Sequence, residues 1–146
     1  MEDLLVSVYR LMNIYNNKSR ITHKYECGAV LYPAQVHTLE AIGSHDGITL
    51  TETASLLFVT RAAVSQCVKQ LCTMGLVSRE DMGTVGGAQG LHLTEMGRSV
   101  YSEHRTRHKD MINAVEDIWN SLSDDAKESV KKMIAITEKH ILDLEE

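Results

Sequence analysis

The stretch YSEHRTRHKD, residues 101–110, sets His104 and His108 four residues apart, with Glu103 beside the first. In a helix that spacing stacks both imidazoles on one face, one turn above the other. Such a pair can reach a single divalent ion, as helical zinc motifs do. Two donors do not close a tetrahedral shell, so partners must come from another segment. His23, Glu26, Cys27 and His37 in the N-terminal half are the candidates. Imidazole suits zinc, although copper, nickel and iron also accept it. The alternative reading is a solvated, charged helix face that binds nothing.

The elements that must position these residues are mostly helical. A chain of 146 residues is long enough for one domain with a real core. It contains one proline, and aromatics make up 5%, so aliphatic side chains must fill the interior. The opening MEDLLVSVYR is acidic before it is apolar, the reverse of a secretory leader. No apolar run approaches the roughly 18 residues of a membrane span. Three cysteines, Cys27, Cys67 and Cys72, form no CxxC pair. Reduced thiols and a cytoplasmic location are therefore expected. The net charge of −5 comes wholly from residues 116–146, which carry four basic and nine acidic side chains. Any nucleic-acid surface must then be a local patch away from the C-terminus.

Apolar spacing predicts a helix over 2–16, and Pro33 suits the first turn of another that Gly43 would stop. The conformation of ITHKYECGAV between them is open. Thr51 is expected to cap a short helix, ETASLLF, and Thr60 a second one, RAAVSQCVKQLCTM, ended by Gly75. Two helices joined by a short turn match a helix-turn-helix. Two short strands, GLVSRED and LHLT, follow, joined by the glycine-rich MGTVGGAQG. A long helix begins after Thr94, and Ser123 caps a last one whose apolar stripe is Val130, Met133, Ile134, Ile141 and Leu144.

A helix pair followed by a hairpin predicts a winged helix that reads DNA. The second helix would enter the major groove, with Arg61, Ser65, Gln66 and Lys69 offering donors and acceptors to base edges. Thr60 and the helix N-terminus suit a phosphate, and Arg79 on the first strand adds a positive charge. The wing tip itself is uncharged: no basic residue lies between Arg79 and Arg98. No HExxH or nucleophile motif is present, so an enzyme is not expected.

The run TETASLLFVTRAAVSQCVKQLCTMGLVSRE, closing with LTEMG, resembles the MarR family of transcriptional regulators. The E-x-A of the first helix, the Thr-initiated second helix, the GLV-x-R junction and the closing LT-x-x-G carry the likeness. It implies a mainly α, winged helix-turn-helix fold as a single domain over 1–146. Residues of about 33–97 would form the DNA-binding part, and 1–32 and 98–146 the dimerisation helices. It also implies a homodimer, a double-stranded operator and action as a repressor.

The E-H-x-x-x-H of Glu103, His104 and His108, with the Q-x-H of Gln35 and His37 and an upstream cysteine, is similar to the zinc-sensing branch of that family, typified by the adhesin competence repressor. That resemblance implies one zinc site at His37, His104 and His108, and a second at Cys27 and Glu103. The sequence departs from the branch in three places, one being that no glutamate sits where the fourth ligand of the first site is expected. Val36 stands where a ligand glutamate is expected, and the cysteine lies two residues nearer the Q-x-H histidine. His23, Glu26 or Cys27 would have to complete the first shell. The alternative effector is a small aromatic or anionic ligand, or oxidation of a cysteine.

Overall fold

The computed structural model describes residues 2–83 and 87–143. The order is α1 (Glu2–Lys18), β1 (His23–Lys24), β2 (Val30–Leu31), α2 (Pro33–Ser44), α3 (Leu50–Leu57), α4 (Arg61–Thr73), β3 (Val77–Asp81), β4 (Gln89–Leu93), α5 (Glu95–Ser121) and α6 (Asp124–Asp143). The chain divides into two compact units, 1–105 and 106–146, with the division inside α5.

The expected elements are present, with boundaries set by capping chemistry. Thr49, not Thr51, caps α3. Its hydroxyl accepts from the Glu52 N–H at 3.3 Å, and Glu52 Oε2 accepts from the Thr49 N–H at 2.8 Å. This reciprocal pair satisfies two otherwise orphaned donors, which no arrangement starting at Thr51 offers. Thr60 caps α4 as expected, its hydroxyl accepting from the Ala63 N–H at 3.2 Å. Gly43 does not stop α2, which continues to Ser44. That glycine is there for space. A Cβ on it would lie 2.8 Å from the Tyr101 ring. The segment left open, 21–30, folds with Leu31 into the small antiparallel ladder β1–β2, pairing His23 with Leu31 and Lys24 with Val30.

In the first unit one core closes around α2. Leu39, Ile42, Leu31, Val64, Val68, Leu71, Leu76, Leu91 and Val100 are fully or almost fully buried. The hairpin β3–β4 pairs Val77 with Leu93 through Asp81 with Gln89. A single bridge, Ile48 to Leu91, ties it to the segment before α3. The glycine-rich tip at 84–86 lies outside the described residues. At the far end of the hairpin α5 starts in close contact with β3. The Thr94 N–H donates to Leu76 O at 3.1 Å, and the Thr94 hydroxyl donates to Gly75 O and accepts from the Gly97 N–H. Gly97 has no room for a side chain, because a Cβ there would overlap the Leu76 carbonyl oxygen.

The second unit comprises the rest of α5 and α6, which Ser123 caps by accepting from the Ala126 N–H at 3.3 Å. Met111, Val115, Ile118, Met133, Ile134, Ile136 and Ile141 are exposed on it. Leu144 of the expected stripe lies outside the described residues. Helix α1 is likewise apolar and uncovered at Leu4, Leu5, Tyr9, Leu11 and Ile14.

Two outcomes test these packing and capping arguments. Gly97→Ala should lower unfolding free energy by about 1–3 kcal/mol, because the overlapped atom is rigid backbone; chemical denaturation measures it. The bonds from Thr49 hold the Glu52 carboxyl below its ordinary pKa. A folded value below the unfolded one gives stability that is present above the unfolded pKa and lost as pH falls through the folded one. Wild type should therefore lose its stability advantage over Glu52→Gln on acidification through the carboxylate range.

Candidate nucleic-acid interface and metal centre

Helix α4 buries Val64, Val68 and Leu71 and turns its other residues outward. At 100° per residue, Gln66 and Lys69 lie opposite that buried stripe, and both are exposed. Arg61 and Thr60 are exposed at the helix start. Ser65 sits at the edge of the stripe and is half-buried. Arg79 is exposed on β3. Ala62 and Thr73 share the outward face of Gln66 and Lys69, which the choice of polar residues by type alone passed over.

Gln70 takes a different part. Its Oε1 accepts from Gln35 Nε2 at 2.8 Å, while Gln35 Oε1 accepts from the Tyr32 N–H at the start of α2. Gln35 is buried. One amide therefore fixes both the N-terminus of α2 and the flank of α4. A buried amide with both ends satisfied specifies geometry more sharply than apolar contact does.

Two residues on from Gln35, His37 lies beside Glu40, with Nδ1 3.3 Å from Oε2. The other oxygen, Glu40 Oε1, is 3.6 Å from His104 Nε2. One carboxylate thus sits between two imidazole nitrogens from different helices. His104 is buried and its Nδ1 is 3.0 Å from the Tyr25 hydroxyl, which fixes the ring and directs Nε2 toward Glu40. His23 packs edge-on to His104, with centroids 6.4 Å apart. Farther along the same contact of α2 with α5, Tyr101 OH bonds Ser44 Oγ at 3.1 Å and accepts from Arg105 at 3.0 Å. The bond from Ser44, foremost, holds that phenol below its usual pKa.

Glu103 accepts from the Glu26 N–H at 3.0 Å. The Glu26 backbone thereby approaches Glu103. Cys27 is exposed and lines a groove with Gly75, Thr94, Glu95, Met96 and Ser99. His108 belongs to the second unit.

The donors around Glu40 are of the right kind for zinc: two imidazoles, one with its far nitrogen held by a hydroxyl, and a carboxylate. Their present arrangement brings both nitrogens to the carboxylate. Among the described residues no three His, Cys, Asp or Glu side chains surround a common point. Glu40 escaped the sequence reading, although its spacing from His37 places it on the same helix face. Tyr25 left no signal, since only the tertiary fold brings it to His104.

A cleft of about 430 Å³ opens on the other side of His37, lined by Tyr15, Thr38, Leu56, Val59, Ala63 and Cys67 among others. That size suits a small molecule. Cys67 borders this cleft, while Cys72 packs on the core.

A helix pair with a capped, outward-facing second helix and a following hairpin defines a winged helix. Residues 31–86 match the model of the MarR family, the family that the sequence resemblance named. Solved structures agree in fold. The zinc-responsive MarR family member ZitR of Lactococcus lactis is 18% identical, with a TM-score of 0.66 and 96% of this chain and 97% of that one covered. The adhesin competence repressor AdcR of Streptococcus pyogenes is 19% identical, with a TM-score of 0.68 and 96% of each chain covered. FabT of Streptococcus pneumoniae, solved in complex with DNA, is 22% identical with a TM-score of 0.61, over 98% of this chain and 96% of that one. No curated protein sequence matches this chain. No helix among the described residues is long and apolar enough to cross a membrane.

The Tyr25–His104 bond gives a direct check on the geometry. Tyr25→Phe removes it at constant shape and should cost about 0.5–1.5 kcal/mol of unfolding free energy. Its effect on the His104 ring is read from the imidazole nitrogen shifts by NMR.

Proposed function

We propose that this chain is a homodimeric, sequence-specific DNA-binding transcriptional regulator of the MarR type, a repressor whose operator affinity is modulated by zinc. The observation that carries the DNA reading is the exposed face of α4, with Arg61, Gln66 and Lys69 outward and Thr60 at its N-terminus, on a segment that matches that family. Thr60 and the first backbone N–H groups suit a phosphate, and Arg79 supports the wing. The uncovered apolar faces of α1 and of the second unit favour residues 1–32 and 98–146 as dimerisation arms. Two α4 helices would then read half-sites about one turn apart.

The observation that carries the metal reading is Glu40 held between His37 and His104. In this reading His37, Glu40 and His104 hold the ion, and His108 joins them on the strength of its spacing from His104 alone. His23, Glu26 and Cys27 remain the other candidates for completing the shell, and Cys27 with Glu103 the weaker second site. Zinc bound there would act structurally, tying α2 to α5 through its ligands. The coupling route is short. His37 and Gln35 lie on one helix, and Gln35 bonds Gln70 of α4. A fixed α2 therefore fixes the recognition helix, and zinc and DNA should each tighten the other, typically by about 1–3 kcal/mol. Protons compete for the same imidazoles, so zinc affinity should fall on acidification. ZitR, described as zinc-responsive and also solved in complex with DNA, supports this reading by analogy of fold.

A second reading is favoured by the cleft beside His37. A small aromatic or anionic molecule between Tyr15, Val59 and Cys67 would act on the same helices, and oxidation of a cysteine would be a variant of it.

Two experiments decide. After selection of an operator from random duplexes, Arg61→Ala should weaken it by about 1–3 kcal/mol and random DNA by less. Equal losses would make Arg61 a phosphate contact. Zinc titrations of wild type, Glu40→Gln and His104→Ala/His108→Ala, with operator binding followed in parallel, test the metal. Unchanged zinc affinity in both variants, or operator affinity indifferent to zinc, sinks the metal reading and turns attention to the cleft.

A further inference from the structure

The base of the wing holds a second histidine cluster, apart from His37 and His104. His92 on β4 has Nδ1 2.9 Å from Asp46 Oδ1, in the turn between α2 and α3, and Nε2 3.9 Å from Glu80 Oε2 on β3. The ring lies over two glycines. A Cβ on Gly90 would come 3.1 Å from Nε2 and 3.2 Å from the Gly47 oxygen, and one on Gly47 3.5 Å from Cε1. The backbones meet here as well. The Gly47 N–H donates to Leu91 O at 3.0 Å, and the Leu91 N–H to Ile48 O at 2.9 Å. One imidazole therefore occupies the junction of wing and helix-turn-helix, with a carboxylate at each nitrogen.

We propose that His92 is a positioning residue for the wing, a proton-operated latch that holds the hairpin to the α2–α3 turn and raises operator affinity when it is charged. The proposal rests on the DNA-binding reading above. A neutral imidazole carries one N–H and can donate to only one of the two carboxylates; an imidazolium donates to both. Charging also halves the net negative charge of the cluster, from two units to one. Asp46 and Glu80 are largely exposed and would face the phosphates of a duplex gripped by the wing, so that change weakens their repulsion. Arg79, exposed on β3 beside Glu80, alternates to the opposite face of the strand from His92, and two further titratable groups are engaged elsewhere. His45 Nδ1 is 3.3 Å from Ala41 O, and Asp81 Oδ1 accepts from the Gly83 N–H. Histidine is the side chain whose ordinary titration falls near neutral pH.

The sign is opposite to that of the metal effect, which separates the two. In chelator, at constant ionic strength, wild-type operator affinity should rise about threefold between about pH 8 and about pH 6, the scale of one exposed ion pair. His92→Gln keeps the shape and hydrogen-bonding capacity but cannot charge, and its affinity should not change over that range beyond the non-specific background. Asp46→Asn/Glu80→Gln leaves the imidazolium no anion to hold and should lose the rise in affinity on acidification, as His92→Gln does. A second readout needs no DNA. The amide resonances of Glu80 and Gly90 should move with pH in wild type and not in His92→Gln. If His92→Gln keeps the wild-type pH dependence of affinity, or its wing amides move as in wild type, the latch is refuted. If the protein binds no duplex at any pH, the DNA-binding reading fails, while the amide shifts still decide whether the latch exists.

Discussion

Helix α2 has almost no free face, and the structure depends on that constraint. Val36, Leu39 and Ile42 turn one side into the core, while Gln35, Thr38 and Ala41 are buried against its neighbours. A winged helix is thin, so one small core must serve α3, α4, the hairpin and the start of α5 together. The helix at its centre cannot shift without disturbing all of them, because close-packed interiors transmit displacement and do not absorb it. Between its exposed ends at Ala34 and Ser44, the polar side chains left part-exposed on α2 are His37 and Glu40.

This placement gives the His37–Glu40–His104 cluster its leverage. The cluster lies where α2 meets the start of α5, and the Gln35–Gln70 bond lies where α2 meets α4. Both are polar contacts between elements otherwise held by apolar packing. Polar contacts have direction, so they select one arrangement among several of similar packing energy. A carboxylate shared by two imidazoles can be redistributed by an ion or by protons without breaking the core beneath it. The cleft beside Tyr15 and Cys67 presses on the same helix from its other side. Either effector would act through one element.

The hairpin is held by different means at its two ends. At β3 the Gly97–Leu76 approach and the Thr94 bonds fix it rigidly to α5. At β4 the link is the buried Leu91 and Leu93, one backbone bridge and, at the surface, His92 between exposed carboxylates. Exposed ion pairs are weak and respond to solution conditions. The wing therefore has a permanent anchor and an adjustable one.

Periodicity and capping residues determined the order and type of nearly every element, because helix stripes, Thr60, Ser123 and Gly75 act over a single turn. Local rules also named Arg61, Gln66 and Lys69, which face outward on α4, but took the half-buried Ser65 with them and passed over Ala62 and Thr73. They mistook Thr51 for Thr49, since two threonines with the same chemistry differ only in which has Glu52 three residues on. They read Gly43 as a stop, when what it answers is a ring arriving from Tyr101. His104 and His37 were legible as ligand types, but Glu40 became part of the cluster only when α5 was laid against α2. Tyr25, the partner that orients His104, is 79 residues away in sequence. Hydrogen bonds of that kind leave no periodic trace. Sequence spacing fixes what neighbours on one helix can do, and only the packing of one element on another decides which side chains meet across the gap.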